Sequence, residues 1–140
     1  MLDLASINTY LSECDRRIGS LQMQIYEKEQ DIEKLETAKT ELALNKSDFL
    51  DYERICLDPE FSSDTLYGEN ANEIDDFRED VLKVTFLSIP KKQISKAEEA
   101  IEERIEELRE DIESLQSDIE DQESIRDDYN KQKEELLSKE

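Results

Sequence analysis

The sequence predicts an all-α protein: a long antiparallel two-helix hairpin, coiled-coil-like along its length, with the second helix kinked near Pro90. Three observations predict it. Apolar residues recur at alternating spacings of three and four on both sides of the chain's middle, the interval that lines one helix face for a partner helix. Helix breakers are nearly missing, with two Gly and two Pro among 140 residues. Only in residues 58–69, DPEFSSDTLYGE, do Pro, Ser, Asp and Gly gather and the spacing lapse, as a turn requires. The chain therefore reads as one domain: a helix over about residues 3–57, a turn over about 58–69, and a helix over about 70–138 with a kink at 87–92.

In the first helix the stripe runs Leu4, Ile7, Leu11, Cys14, Ile18, Leu21, Ile25, Ile32 and Leu35. Lys28, Lys39 and Lys46 stand where it calls for apolar residues, while Leu42, Phe49 and Cys56 keep the other heptad position. With Ala43, Leu50 and Leu57 beside those positions, the stripe rotates rather than stops. Gly19 costs about 1 kcal/mol relative to Ala, too little to break such a helix.

After the turn, Asn70-Ala71-Asn72-Glu73 has the pattern of an N-cap followed by a Glu whose carboxylate reaches back to the cap. Ile74, Phe77, Val81 and Val84 then mark the expected buried face. Pro90 removes one backbone hydrogen bond and pushes Ile89 away from helical angles, which places the kink. Beyond it Ile94, Ile101, Ile105, Leu108, Ile112, Leu115 and Ile119 restore the heptad, and Gln122, Arg126, Tyr129, Lys133 and Leu136 continue it with more polar residues. Folding about the middle of the turn puts residue i opposite roughly 126 − i. Ile7 then faces Ile119, Leu11 faces Leu115, Cys14 faces Ile112, and residues past about Gln122 overhang.

Composition excludes several functions. The mean hydropathy of −0.84 raises the possibility of disorder, but regularly spaced Leu and Ile argue against it. A net charge of −21 repels nucleic-acid phosphates and anionic lipid headgroups alike. The first residues carry neither a basic region nor an uninterrupted apolar run, so neither a Sec-type signal nor a membrane insertion is expected. Cys14 and Cys56 lie about 63 Å apart on one predicted helix, far beyond the roughly 7 Å that a disulfide spans. They read as small buried hydrophobes.

The chain also offers little chemistry. Without His there is no imidazole base, no His-based triad and no His zinc site. The pairs Glu98-Glu99, Glu102-Glu103 and Glu106-Glu107 fall on outward helix positions and read as a solvated face. Asp58, Glu60, Ser62, Asp64 and Glu69 have the spacing of a calcium loop, but Ser63 stands where that loop needs Gly, and Pro59 follows its first ligand. The expectation is no enzyme, no cofactor and no metal.

The turn resembles something more specific. Leu66-Tyr67-Gly68, followed by Ala71 and Ile74, is similar to the Trp-x-Gly turn that joins the two helices of the WXG family of type VII secretion proteins. Gly68 and Ala71 match, whereas Leu66 replaces the Trp. Among longer, acidic hairpins of this plan, the chain resembles the YwqH-like small partners of LXG toxins in Gram-positive bacteria. That resemblance implies a partner, the N-terminal helical domain of an LXG toxin, with room for a second small helical protein and indirect contact with the secretion ATPase. WXG-type substrates carry a Tyr-x-x-x-Asp/Glu export signal, and here Tyr129 is followed four residues on by Lys133. The resemblance then implies a cytoplasmic protein that leaves as a passenger of its toxin or stays behind as an adaptor or chaperone.

The contrasting reading is a freestanding structural coiled coil or a prefoldin-like holdase. A prefoldin subunit needs a β-hairpin between its helices, and the turn has no alternating strand pattern. The distribution of bulk also favours a partner. All four Phe lie between residues 49 and 86, and two antiparallel helices cannot hide so wide an apolar surface. Residues 96–140, by contrast, carry 18 acids and 7 bases, net −11, around one narrow seam. The expected partner interface comprises Phe49, Leu50 and Leu57 before the turn, Leu66, Tyr67 and Gly68 in it, and Phe77, Val81, Phe86 and Leu87 after it.

Overall fold

A computed structural model describes residues 2–57 and 69–139, and the side chains of these except at positions 54, 55 and 69–71. Every described element is helical. The first arm is α1, Leu4–Asp51, followed by a 3-10 turn at Glu53–Cys56. The second arm holds α2 (Glu69–Phe77), α3 (Lys83–Ser88) and α4 (Ser95–Ser138), joined by π-helical stretches at Arg78–Leu82 and Ile89–Ile94.

Local chemistry explains the boundaries. Asp3 caps α1: its Oδ1 accepts the Ser6 N–H at 2.8 Å and its carbonyl accepts the Ile7 N–H at 3.1 Å. Hydrogen bonds from Ser6, its side chain first and its N–H second, hold the Asp3 carboxyl below its ordinary range. At Pro90 the missing N–H frees a backbone carbonyl one turn earlier, and the chain switches to a wider π turn instead of ending the helix. Pro90 is fully buried there, and the Ser95 hydroxyl donates to its carbonyl at 3.2 Å. In the earlier π stretch the Lys83 N–H reaches the Arg78 carbonyl, five residues back.

The chain forms two compact units, one of Met1–Lys34 with Ile105–Glu140 and the other of Leu35–Arg104. In the first, Ile7, Cys14, Ile18, Ile105, Leu108 and Ile112 are buried along the seam. Tyr10 stacks on Tyr129 with ring centroids 5.2 Å apart, the Arg126 guanidinium reaches Asp15 at 3.2 Å, and Lys28 reaches Asp111 at 3.7 Å. Residue i thus faces roughly 140 − i. This corrects the sequence-based register: Ile7 is not opposite Ile119, Cys14 is not opposite Ile112, and the segment past Gln122 does not overhang but packs on the start of α1. The physical reason is that a heptad stripe matches equally well after a slide of two whole heptads.

The second unit is antiparallel in the same sense. Lys39 pairs with Glu102, and Lys46 donates to Ser95 Oγ at 3.0 Å and Glu98 Oε1 at 3.2 Å. Each of the three lysines that interrupt the stripe reaches an acid within about one turn of position 140 − i. At 126 − i Lys28 and Lys46 would also meet acids, Glu98 and Asp80, whereas Lys39 would face Leu87, so Lys39 is the register pin. Each pair is partly exposed and contributes at most about 1 kcal/mol. For Lys39 the weight lies in penalising the other register more than in stabilising this one.

Candidate partner interface

The candidate site belongs to the second unit, and it begins where the first arm gives out. Phe49 of α1 meets Phe86 of α3 edge to face, with centroids 5.6 Å apart, and both are half-buried. The Cys56 thiol lies 4.0 Å from the Leu82 carbonyl, and Arg78 Nη1 donates to the Leu57 carbonyl at 3.2 Å. These contacts fasten one side of residues 78–86 to the end of the first arm. The other side faces out.

That outer side is apolar. Phe77 is 55% exposed, Val81 48% and Val84 61%, with Ile74 and Leu82 also exposed. Ile74, Phe77, Val81 and Val84, predicted as a buried face, are therefore open to solvent. Arg78 is already level with Leu57, where the described first arm ends, so no described residue lies opposite α2 to cover them. Leu50 is exposed on α1, and Leu57 and Leu87 are half-buried. Leu66, Tyr67 and Gly68 lie outside the described residues, as does the calcium-like spacing apart from Glu69.

Two shallow grooves flank this surface. One is lined by Asn45, Asp48, Phe49, Tyr52 and Phe86, with Tyr52 64% exposed. The other runs along the second arm through Val84, Thr85, Leu87, Ser88, Lys91 and Lys92. The sequence pattern singles out neither Val84 nor Tyr52 as an interface residue. Val84 falls on the expected core face, and Tyr52 lies off the heptad stripe, where only its size is a signal. Among the described residues no three His, Cys, Asp or Glu side chains are grouped to hold a metal, and no helix is long and apolar enough to cross a membrane.

Chemically, the arrangement offers apolar area and charge rather than a reacting group. Fully burying an apolar side chain of this size is worth roughly 1.5–3 kcal/mol, so three half-exposed ones represent a substantial unused contact area. The model of the YwqH-like family matches residues 9–134, nearly the whole chain. The protein belongs to the YwqH-like family. The match takes in both helical arms and the residues between them, including those that resemble the WXG turn. No curated protein and no solved structure gives a significant match to this YwqH-like chain.

Proposed function

We propose that this YwqH-like protein is a non-enzymatic helical partner that binds the N-terminal helical domain of an LXG-type toxin and promotes its type VII secretion. The observation that carries the reading is the uncovered apolar face at Phe77, Val81 and Val84 in a member of this family. A freestanding rod has no use for it, because exposed apolar area promotes aggregation unless a partner covers it. Docking a helix pair of the toxin there extends the hairpin into a bundle, the ordinary way for amphipathic helices to complete a core.

The export role follows from what the chain lacks. Tyr129 carries no acidic residue four positions on, and its ring is engaged against Tyr10 in the seam. In this proposal the toxin or a companion protein carries the signal read by the secretion ATPase, and the YwqH-like protein acts before export as an adaptor. The test is purification of the tagged protein from its native host with identification of what co-elutes. Recovery of a large protein with a helical N-terminus supports the proposal, and recovery of the protein alone at high yield overturns it.

A further inference from the structure

Residues 81–97, VLKVTFLSIPKKQISKA, contain four Lys and no Asp or Glu, in a chain with 39 acids. No other acid-free stretch of the sequence exceeds 11 residues. Lys83 is engaged with Glu79 one turn back, at 3.9 Å. Lys91, Lys92 and Lys96 are exposed and form no ion pair among the described residues. Lys91 and Lys92 close one end of the groove whose apolar wall is Val84 and Leu87.

We propose that this groove, running from Val84 to Lys92, docks an amphipathic partner helix whose apolar stripe is bordered by Asp or Glu. The inference rests on the reading of this chain as a helix-binding partner and adds the chemistry of the contact. An apolar wall ending in unpaired ammonium groups is complementary to such a helix: the stripe covers Val84 and Leu87 while flanking carboxylates reach Lys91 and Lys92. The other anionic surfaces fit less well. A bilayer or a nucleic acid is large enough to meet the rest of the chain, whose net charge is −21, whereas a single helix about 10 Å across meets only the basic island. At physiological salt the screening length is about 8 Å, so charges outside the island are largely screened from it. A second copy offers only its acid-bordered Ile74, Phe77 and Val81 stripe, the stripe of α4 being buried at Ile105, Leu108 and Ile112, and a dimer made that way is an outcome that the test separates.

The test uses the full chain and two synthetic 21-residue helical peptides. Both carry the same heptad Leu stripe, one flanked by Glu and the other by Lys, and binding is read by fluorescence anisotropy at 0.15 M salt. Bulk charge alone favours the Lys-flanked peptide. The proposal predicts the opposite, with the Glu-flanked peptide binding about tenfold tighter, a difference of about 1.4 kcal/mol. Lys91→Glu with Lys92→Glu should abolish that preference while leaving helicity unchanged, since neither ammonium is paired among the described residues. Val84→Asp should weaken both peptides. Preference for the Lys-flanked peptide, equal binding, or binding of neither overturns the proposal. So does sedimentation of the protein with phosphatidylglycerol vesicles but not with phosphatidylcholine ones, or a dimer that dissociates on the Lys91 and Lys92 changes. Each of these outcomes leaves the toxin-partner reading standing, because that reading depends on what co-elutes from the host. Loss of the toxin at that step, with the peptide preference intact, removes the toxin and keeps the groove.

Discussion

The register of the hairpin can be tested by cross-linking, because the two candidate alignments differ by more than any side chain can bridge. Two paired variants are made in a Cys14→Ala, Cys56→Ala background: Tyr10→Cys with Tyr129→Cys, and Ile7→Cys with Ile119→Cys. The Tyr10 and Tyr129 rings stack with centroids 5.2 Å apart. Bringing Ile7 beside Ile119 instead requires one arm to slide by two heptads, about 14 residues or roughly 21 Å. A disulfide tolerates Cα separations of only about 7 Å, so the two alignments exclude each other. After mild oxidation of dilute protein, mass spectrometry with thiol counting should find no free thiol in the monomer of the first pair and two in the second. The first cross-link also closes a loop of about 120 residues, for which chain entropy gives roughly 4–5 kcal/mol of stabilisation, visible as a higher denaturation midpoint. Bridging of Ile7→Cys with Ile119→Cys, and not of the first pair, would refute the structural register and restore the overhanging tail.

Further predictions separate fold from interface. Phe86→Ser opens the edge-to-face contact with Phe49 and removes a half-buried ring, so it should destabilise the protein by about 2 kcal/mol in urea unfolding, whereas Phe77→Ser should change stability by less than about 0.5 kcal/mol. Equal effects would mean that Phe77 is part of the core. A Cβ added at Gly19 meets nothing within 4 Å, so Gly19→Ala should raise stability by about 0.5–1 kcal/mol, read as a higher urea midpoint; a fall would reveal a crowded position. The Asp3 carboxyl titrates below its ordinary value of 3.8 because Ser6 holds its charged form, so the cap stabilises α1 above that value and is lost as pH falls through the lower, folded one. The Ser6 amide shift, followed by NMR, should therefore titrate with a midpoint under 3.8, and a midpoint at or above it would remove the cap.

The helical arms were legible because a three-four apolar spacing has one inexpensive solution, the burial of a helix stripe against another helix. Register was not, because that spacing repeats every seven residues and Leu11, for one, finds an apolar partner in either alignment, Leu115 in one and Tyr129 in the other. Lys39 held the missing information: it reaches Glu102 in this alignment and would face Leu87 in the other, whereas Lys28 and Lys46 meet an acid in either, a charge pattern that apolar counting passes over. The π turns were not legible either. Pro90 announces a disturbance, but whether a helix breaks or widens depends on what takes up the freed carbonyl, here the Phe86 carbonyl, which accepts the Ile89 N–H. At the tip, the concentration of Phe signalled an excess of apolar surface, yet nothing in the spacing distinguishes Phe86, which packs on Phe49, from Phe77, which faces water.

Whether this YwqH-like protein holds a secreted toxin's helical domain on its apolar face at Phe77 and Val81 is read by comparing native-host purifications of the wild type and of the Phe77→Ser, Val81→Ser double variant, with helicity checked by circular dichroism. Phe77 and Val81 each have about half their surface left to bury, together worth roughly 2 kcal/mol or about thirtyfold in affinity. The wild type should retain a large protein with a helical N-terminus, and the equally helical double variant should lose most of it. Equal recovery of that partner by both proteins, or of no partner by either, would contradict the claim.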